Sequence, residues 1–186
     1  MKATQVLRDE HEGVLAMLGV VEAAAYRLRD GKSVPPDLMT NAIDFFRNFV
    51  DKCHHGKEEQ QLFPALTAHG LPQEGGPVGV MLEEHAQGRA FIRGMSDAAQ
   101  KYAQGDVAAL NALVSNTVGY AKLLREHIDK ENGVLFPMAD NILSDAEQGK
   151  LYDAFEQIEA NEIGPGVHER YHQMIGEYQK LAASWN

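Results

Sequence analysis

Residues 53–64 read CHHGKEEQQLFP, and residues 126–137 read EHIDKENGVLFP. In each segment a histidine precedes a glutamate by four residues, and the tripeptide LFP begins four residues after that glutamate. Residues four apart lie on one face of an α-helix, so each pair can approach a single metal ion. The two pairs are His54 with Glu58 and His127 with Glu131. The matching offsets predict two helices with the same local chemistry.

The rest of the chain also has helical periodicity. Apolar residues recur at the spacing of an α-helix, and no sustained alternation indicates a strand. The predicted helices cover about residues 3–30, 37–70, 77–105 and 106–138, and two shorter ones begin near Ser144 and Pro165. We therefore predict an all-α fold, an up-down-up-down four-helix bundle with two additional shorter C-terminal helices. The bundle would span residues 1–142, and residues 143–186 would form a helical extension packed on the same domain.

Several local signals support these boundaries. Ser144 and Glu147 have the spacing of a capping box, which predicts the start of the fifth helix. Gly31 is expected to end the first helix. Pro64 and Pro137 should kink or weaken the helices in which they lie, because proline lacks the N–H that a helix interior needs.

The composition excludes several classes of protein. The chain has 17 Lys and Arg against 27 Asp and Glu, and the net charge of -10 is the wrong sign for binding nucleic acid or an anionic membrane. Charges near the N-terminus and the lack of a long apolar run argue against a secretory signal or a membrane helix. The single Cys53 fits a reducing compartment and rules out a cysteine zinc cluster. We therefore predict a cytoplasmic protein whose metal sites, if any, use histidine and carboxylate.

Two further histidines extend the pattern to four helices. His11 lies in RDEHEG on the first helix, and His85 lies in LEEHAQGR on the third. Counted from the end of the bundle that holds the first loop, the four histidines lie about 17–21 residues deep, a spread of roughly 6 Å. Four histidines and two glutamates buried at one level without a metal would cost several kcal/mol. The pattern therefore predicts a metal site inside the bundle.

The donor types narrow the choice of metal. Imidazole and carboxylate ligands without thiolate suit iron, manganese or zinc, and a histidine-rich set spread over four helices suits a pair of irons best. The candidate metal ligands are His11, His54, Glu58, His85, His127 and Glu131. The two glutamates are the candidates for bridging two ions, and the histidines would be terminal ligands.

Several neighbouring residues have other expected roles. His55 is about 100° round the helix from His54, so we expect it at the rim of the site or as a hydrogen-bond donor rather than as a ligand. Four glutamates next to presumed ligands could orient imidazole rings, although exposed helix charges are the commoner explanation. They are Glu10, Glu12, Glu59 and Glu84. Cys53 is expected to be an ordinary helix residue rather than a redox-sensitive thiol.

The segment His168 to His172 matches HExxH, the helix motif of zinc proteases. A protease also needs a third ligand downstream and a structure that holds an extended substrate, and few residues follow this motif. A ferritin-like site would need two ExxH motifs, and only Glu169 with His172 provides one. Both alternatives are disfavoured, but His168 could instead supply an additional iron ligand.

Taken together, four segments of the chain resemble the hemerythrin family, in particular the bacterial hemerythrin-like proteins with HHE cation-binding domains. They are DEHE around His11, HHGKEE followed by LFP, EEHAQGR around His85 and EHIDKE followed by LFP. The resemblance covers about residues 3–140. It implies an oxo- or hydroxo-bridged pair of non-haem irons in a four-helix bundle, able to bind oxygen, nitric oxide or peroxide.

The chain departs from the oxygen-carrying hemerythrins in two ways. Its third helix offers only His85, with Met81 and Arg89 four residues away on either side, where the carriers have HxxxH. Its fourth helix has Glu131 at the fourth position after the histidine, where the carriers have an aspartate at the fifth. These differences argue against reversible oxygen storage and leave one iron short of a histidine.

Two functions are compatible with this site. The first is a di-iron protein that binds or processes a small molecule, with catalase-like turnover or a role in repairing iron-sulfur centres. The second is a non-catalytic module that senses or buffers iron through metal-dependent folding. Turnover of peroxide by the iron-loaded protein would separate them.

Overall fold

The computed structural model describes residues 2–185, and this part of the chain contains helices, turns and loops but no strand. The helices are α1 (Ala3–Arg29), α2 (residues 38–68), α3 (Pro77–Ala103), α4 (residues 109–142), α5 (Asp145–Glu162) and α6 (Val167–Ala183). The predicted all-α class is therefore confirmed. None of these helices is long and apolar enough to cross a membrane.

The helix ends follow the local signals closely. Gly31 and Gly105 have positive φ of 71° and 94°, so a residue that tolerates the left-handed region stands just beyond α1 and α3. Ser144 and Glu147 form the predicted capping box at the start of α5. The last helix begins at Val167, slightly later than predicted, because Gly166 adopts a φ of 76° directly before it.

Helices α2 and α4 contain π-helical turns, which the sequence pattern did not indicate. In α2 they cover Phe46–His54 and Glu58–Leu62, and in α4 one covers Glu131–Leu135. The last two begin at a glutamate of the repeated motif and end two residues before Pro64 or Pro137. A proline ring clashes with the carbonyl four residues earlier, and the wider π turn moves that carbonyl away. The expected weakening at each proline thus takes the form of a π turn, and both helices continue beyond it.

The interior is divided into two apolar clusters. The proximal core lies near the loop between α1 and α2, and the distal core lies at the opposite end. Larger members of the proximal core are Val14, Leu18, Phe45, Phe46, Val50, Ile92, Tyr120 and Leu124. Larger members of the distal core are Leu7, Leu62, Phe63, Leu66, Met81, Leu135, Phe136 and Phe155. On each of α1 to α4 the predicted metal-binding residues lie between these two cores, so they share one level.

Helices α5 and α6 lie against the same interior. Leu151 and Phe155 of α5 belong to the distal core, and Tyr171 and Ile175 of α6 belong to the proximal core. The C-terminal residues therefore pack on the helices that carry the candidate ligands.

Candidate metal centre

Two groups of four side chains meet between the cores, and within each group the ligand atoms lie within 4.8 Å of one another. We call them the three-histidine group and the two-histidine group. The first consists of His55, Glu58, His85 and His127, and the second consists of His11, His54, Glu58 and Glu131. Glu58 belongs to both groups, and all seven residues are at most 2% exposed. The structure thus brings all six candidate ligands together and adds His55.

Each glutamate lies between histidines of two different helices. One carboxylate oxygen of each faces a histidine on its own helix, and the other oxygen faces a histidine on another helix. The contacts join Glu58 to His54 (3.8 Å) and His85 (3.4 Å), and Glu131 to His127 (3.3 Å) and His11 (3.2 Å), in each case to Nε2. Both carboxylates are therefore placed as bridging ligands would be.

The pattern of unpaired atoms tests whether metal ions fit here. Among residues 2–185, seven buried side-chain atoms lack a hydrogen-bond partner, and six of them belong to these groups. The six are both ring nitrogens of His55 and both carboxylate oxygens of Glu58 and of Glu131. A buried polar atom without a partner costs about 1–3 kcal/mol, and a charged one costs more. Divalent cations between these atoms would satisfy the carboxylates and a nitrogen of His55, so the donor set fits two metal ions.

Hydrogen bonds on the outer side of the rings fix their orientation. The Nδ1 atoms of four histidines donate to side-chain oxygens, which leaves the Nε2 atoms directed at the centre. The bonds run from His54 to Glu10 (2.8 Å), from His85 to Glu59 (2.7 Å), from His127 to Glu84 (3.0 Å) and from His11 to Asn132 (3.0 Å). Three of the four adjacent glutamates therefore orient ligands, whereas Glu12 is exposed. Asn132 is not among the residues predicted from the sequence, although it follows Glu131 just as Glu59 follows Glu58.

Each orienting carboxylate is paired with a cation. Lys57 donates to Glu10, Lys130 donates to Glu84, and Arg89 donates to Glu59 (2.6 Å). Burial raises the pKa of these three carboxyl groups. The histidine and the cation beside each one lower the pKa by a larger amount, so the net pKa falls below the ordinary value. The three groups stay ionised and hold the imidazole rings firmly.

These contacts repeat between the two halves of the bundle. On α1 and α2, Glu10 and His11 face His54, Lys57 and Glu58. On α3 and α4, the same arrangement is built from Glu84, His85, His127, Lys130 and Glu131. In both halves the glutamate before the histidine of the first helix accepts a hydrogen bond from the histidine of the second helix. The weak repeat of sequence around LFP therefore extends to these pairs of helices.

The expectation that His55 lies at the rim is wrong. Its side chain is buried, and its ring stacks on that of His85 with centroids 3.8 Å apart. The π-helical winding of Phe46–His54 turns the chain less per residue than an α-helix does, so His54 and His55 both reach the interior. Burial and the neighbouring histidines lower the pKa of His55 well below its ordinary value. The neutral ring keeps a lone pair that can bind a metal.

His168 lies outside the centre. Its side chain is 30% exposed, and its Nδ1 donates to Glu159 at 3.0 Å, while its ring stacks on His172. Neither His168 nor His172 belongs to a ligand group within the described residues. Within residues 2–185 the HExxH segment has no metal-binding partners, so the structure does not support the zinc protease alternative.

Cys53 is an ordinary buried residue, as expected. It is fully buried, and this burial raises the pKa of its thiol to about 12. The thiol therefore stays protonated and poorly reactive.

Comparisons with known proteins agree with this geometry. Residues 2–139 match the family described as the hemerythrin HHE cation binding domain. The chain is 22% identical over 178 residues to the uncharacterized protein Rv1995 of Mycobacterium tuberculosis, covering 96% of this chain and 69% of that protein. It is 28% identical over 138 residues to the iron-sulfur cluster repair protein YtfE of Musicola paradisiaca, covering 73% and 61% of the two chains. No solved structure matches the chain significantly.

Proposed function

Because the chain belongs to the hemerythrin HHE cation-binding domain family, we propose that it is a non-haem di-iron protein that binds or processes a small molecule such as oxygen, nitric oxide or peroxide. One observation carries the proposal: two buried groups of ligand atoms share Glu58, and the oxygens of both glutamates lack hydrogen-bond partners. A pair of metal ions held by common carboxylates accounts for both facts.

The ligand set assigns a separate role to each group. The three-histidine group would hold one iron and the two-histidine group the other, with Glu58 and Glu131 as bridges. His55 then takes the place of the histidine that α3 lacks, so neither iron depends on His168. When bound, the two irons supply the redox chemistry that a small molecule needs. The protein side chains orient the ligands, keep the carboxylates ionised and exclude water.

The surroundings favour a small ligand. Phe63 stacks on His85 and Phe136 stacks on His11, with ring centroids 5.8 and 5.6 Å apart, so apolar rings cover the site from the distal core. A surface cavity of about 270 Å³ is lined in part by Glu59 and Phe63, which both contact His85. A cavity of this size next to the site suits a diatomic molecule or peroxide, whereas a peptide cannot reach the buried ligands.

The architecture and location form part of the same proposal. We take α1 to α4 as an up-down-up-down bundle with α5 and α6 laid against it. The position of four histidines between the proximal and distal cores supports this arrangement. Cytoplasmic localisation is proposed from the single, buried Cys53, which fits a reducing compartment.

A role in processing is favoured over binding alone by one relative, which carries the name of an iron-sulfur cluster repair protein. The alternative is a non-catalytic module that binds or senses iron, and the buried ligand set is compatible with it. Multiple turnovers of peroxide or nitric oxide by the iron-loaded protein would support processing, and a single stoichiometric binding event would support the alternative.

Metal analysis with an absorption spectrum tests the proposal directly. Protein made under iron-replete conditions should contain about two irons per chain and show charge-transfer bands in the near ultraviolet. Stoichiometric zinc without such bands, in the same preparation, would overturn the di-iron assignment.

A further inference from the structure

A line of charged side chains connects the C-terminal helices to the metal centre. His168 on α6 donates to Glu159 on α5 at 3.0 Å, and Lys57 on α2 donates to the other oxygen of Glu159 at 2.9 Å. Lys57 also donates to Glu10 on α1, which accepts from the Nδ1 of His54 at 2.8 Å. The line therefore ends on a ring of the two-histidine group.

Lys57 is the unusual member of this line. Its side chain is 1% exposed, whereas its counterpart Lys130 in the other half is 40% exposed. Taking an ammonium group out of water is strongly unfavourable unless opposite charges surround it. Lys57 has two carboxylates, Glu10 and Glu159, and the second comes from α5, beyond the residues 2–139 that match the family. The C-terminal helices thus supply Lys57 with a second negative charge, whereas the more exposed Lys130 pairs with Glu84.

We propose that Glu159 is a positioning residue for the metal centre, acting on His54 through Lys57 and Glu10. A cation shared by two carboxylates neutralises each of them less than a cation held by one. Glu10 therefore remains a strong acceptor for the Nδ1 proton of His54, and this increases the electron density that Nε2 offers to a metal. The inference rests on the proposed function, because it concerns a metal bound at His54.

Replacing Glu159 by glutamine isolates the effect of its charge. The amide oxygen of Glu159→Gln can still accept from Lys57, so the packing is retained while the negative charge is lost. Lys57 then interacts mainly with Glu10, which becomes a weaker acceptor, and His54 becomes a weaker donor to the iron. Loss of a negative charge and loss of donor strength both disfavour the oxidised iron pair, so the reduction potential should rise.

The test uses the full-length, iron-loaded protein with a matched control. Glu156→Gln removes the same charge from an exposed position on α5. We expect Glu159→Gln to bind about two irons, to shift the reduction potential upward and to lose up to about tenfold in iron affinity by chelator competition. The control should keep the wild-type values. Glu10→Gln, which removes the negative charge of the direct partner of His54, should lower the affinity by about 10–100-fold.

A second measurement does not depend on iron. In zinc-loaded protein labelled with ¹⁵N-histidine, the Nδ1 resonance of His54 should move in Glu159→Gln toward that of a weakly hydrogen-bonded ring, and should stay in place in Glu156→Gln. A purely structural ion pair would lower the melting temperature without moving this resonance or the potential. Equal potentials and equal Nδ1 resonances in the two variants, with two irons bound, would overturn the inference and leave the proposed function intact. Wild-type protein that binds no iron would overturn both.

Discussion

Residues 54–64 on α2 and residues 127–137 on α4 share a sequence pattern and a π turn, but their surroundings differ. The second residue of the pattern is His55 on α2 and Ile128 on α4. The lysine of the pattern is buried on α2 and partly exposed on α4. The residue after the glutamate is charged Glu59 in one case and neutral Asn132 in the other.

The comparison separates the residues that would hold the metal ions from the residues that would make the two metal positions different. The shared part comprises the histidine, the glutamate, the lysine and the proline, and it builds two equivalent halves of a site. The unshared part gives one group a third histidine and gives the other a fully buried lysine that reaches α5. The two metal positions are therefore chemically unequal, although the halves that form them are copies in pattern.

Substitution of Glu58 or Glu131, the glutamates of the repeated pattern, should have the largest effect on metal content. Glu58→Ala or Glu131→Ala removes a carboxylate that lies between histidines of two helices, so each variant should lose most of both irons and the near-ultraviolet bands. His172→Ala, which changes a histidine outside both groups, serves as the control and should keep its iron. A result in which His172→Ala strips the metal and Glu58→Ala does not would place the site in α6.

Removing the metal should destabilise the whole protein. The carboxylates of Glu58 and Glu131 and the ring of His55 would remain buried without partners. Binding of an ion at a thousandfold excess over its Kd contributes about 4 kcal/mol, so melting curves of metal-free and metal-loaded protein should be clearly separated. Identical melting temperatures would mean that the two groups do not bind metal in the folded state.

The variant His55→Ile makes α2 resemble α4 and tests the source of the asymmetry. The three-histidine group would lose one ligand, so we expect the iron content to fall from about two to roughly one per chain. The metal-free variant should be more stable than the metal-free wild type by about 1–3 kcal/mol, because a buried ring without partners is replaced by an apolar side chain. Ile128→Val, at the matching position of α4, should leave the iron content unchanged. Full iron content in His55→Ile would exclude His55 as a ligand.

The smallest effect concerns pH. Burial lowers the pKa of His85, but the neighbouring carboxylates of Glu58 and Glu59 outweigh it and raise the pKa to about 9. Metal-free protein therefore carries a proton on His85 at pH 7, and a metal ion must displace it. Zinc affinity should rise by up to about tenfold per pH unit between pH 7 and 8 because of this proton. His85→Gln should reduce the slope by one proton, and an unchanged slope would contradict this assignment.

Much of the fold and of the site could be predicted from local patterns. Helix ends depend on nearby residues such as Gly31, Ser144 and Glu147, and these residues behave as their chemistry requires. The common depth of the four histidines follows from counting residues along helices of regular rise. The counted segments of α1, α3 and α4 are regular α-helix, whereas the count along α2 crosses the π turns of Phe46–His54.

His55 could not be placed in this way. The rule of 100° per residue assumes α-helical winding, and α2 departs from it over Phe46–His54 and Glu58–Leu62. The role of Lys57 was also out of reach, because its partner Glu159 is 102 residues away in the chain. Contacts between distant segments depend on packing that no local pattern records.

The π turns also affect how this chain corresponds to its relatives. A π turn accommodates an extra residue within a helix, so a helix that lacks the turn is out of phase with α2 beyond it. Superposition of such a helix would need a one-residue gap near Glu58 to keep both the histidines and Pro64 in equivalent places. An ungapped alignment that matches Pro64 would pair His55 with a residue that faces another direction. Identity at that alignment position would not mean a shared ligand.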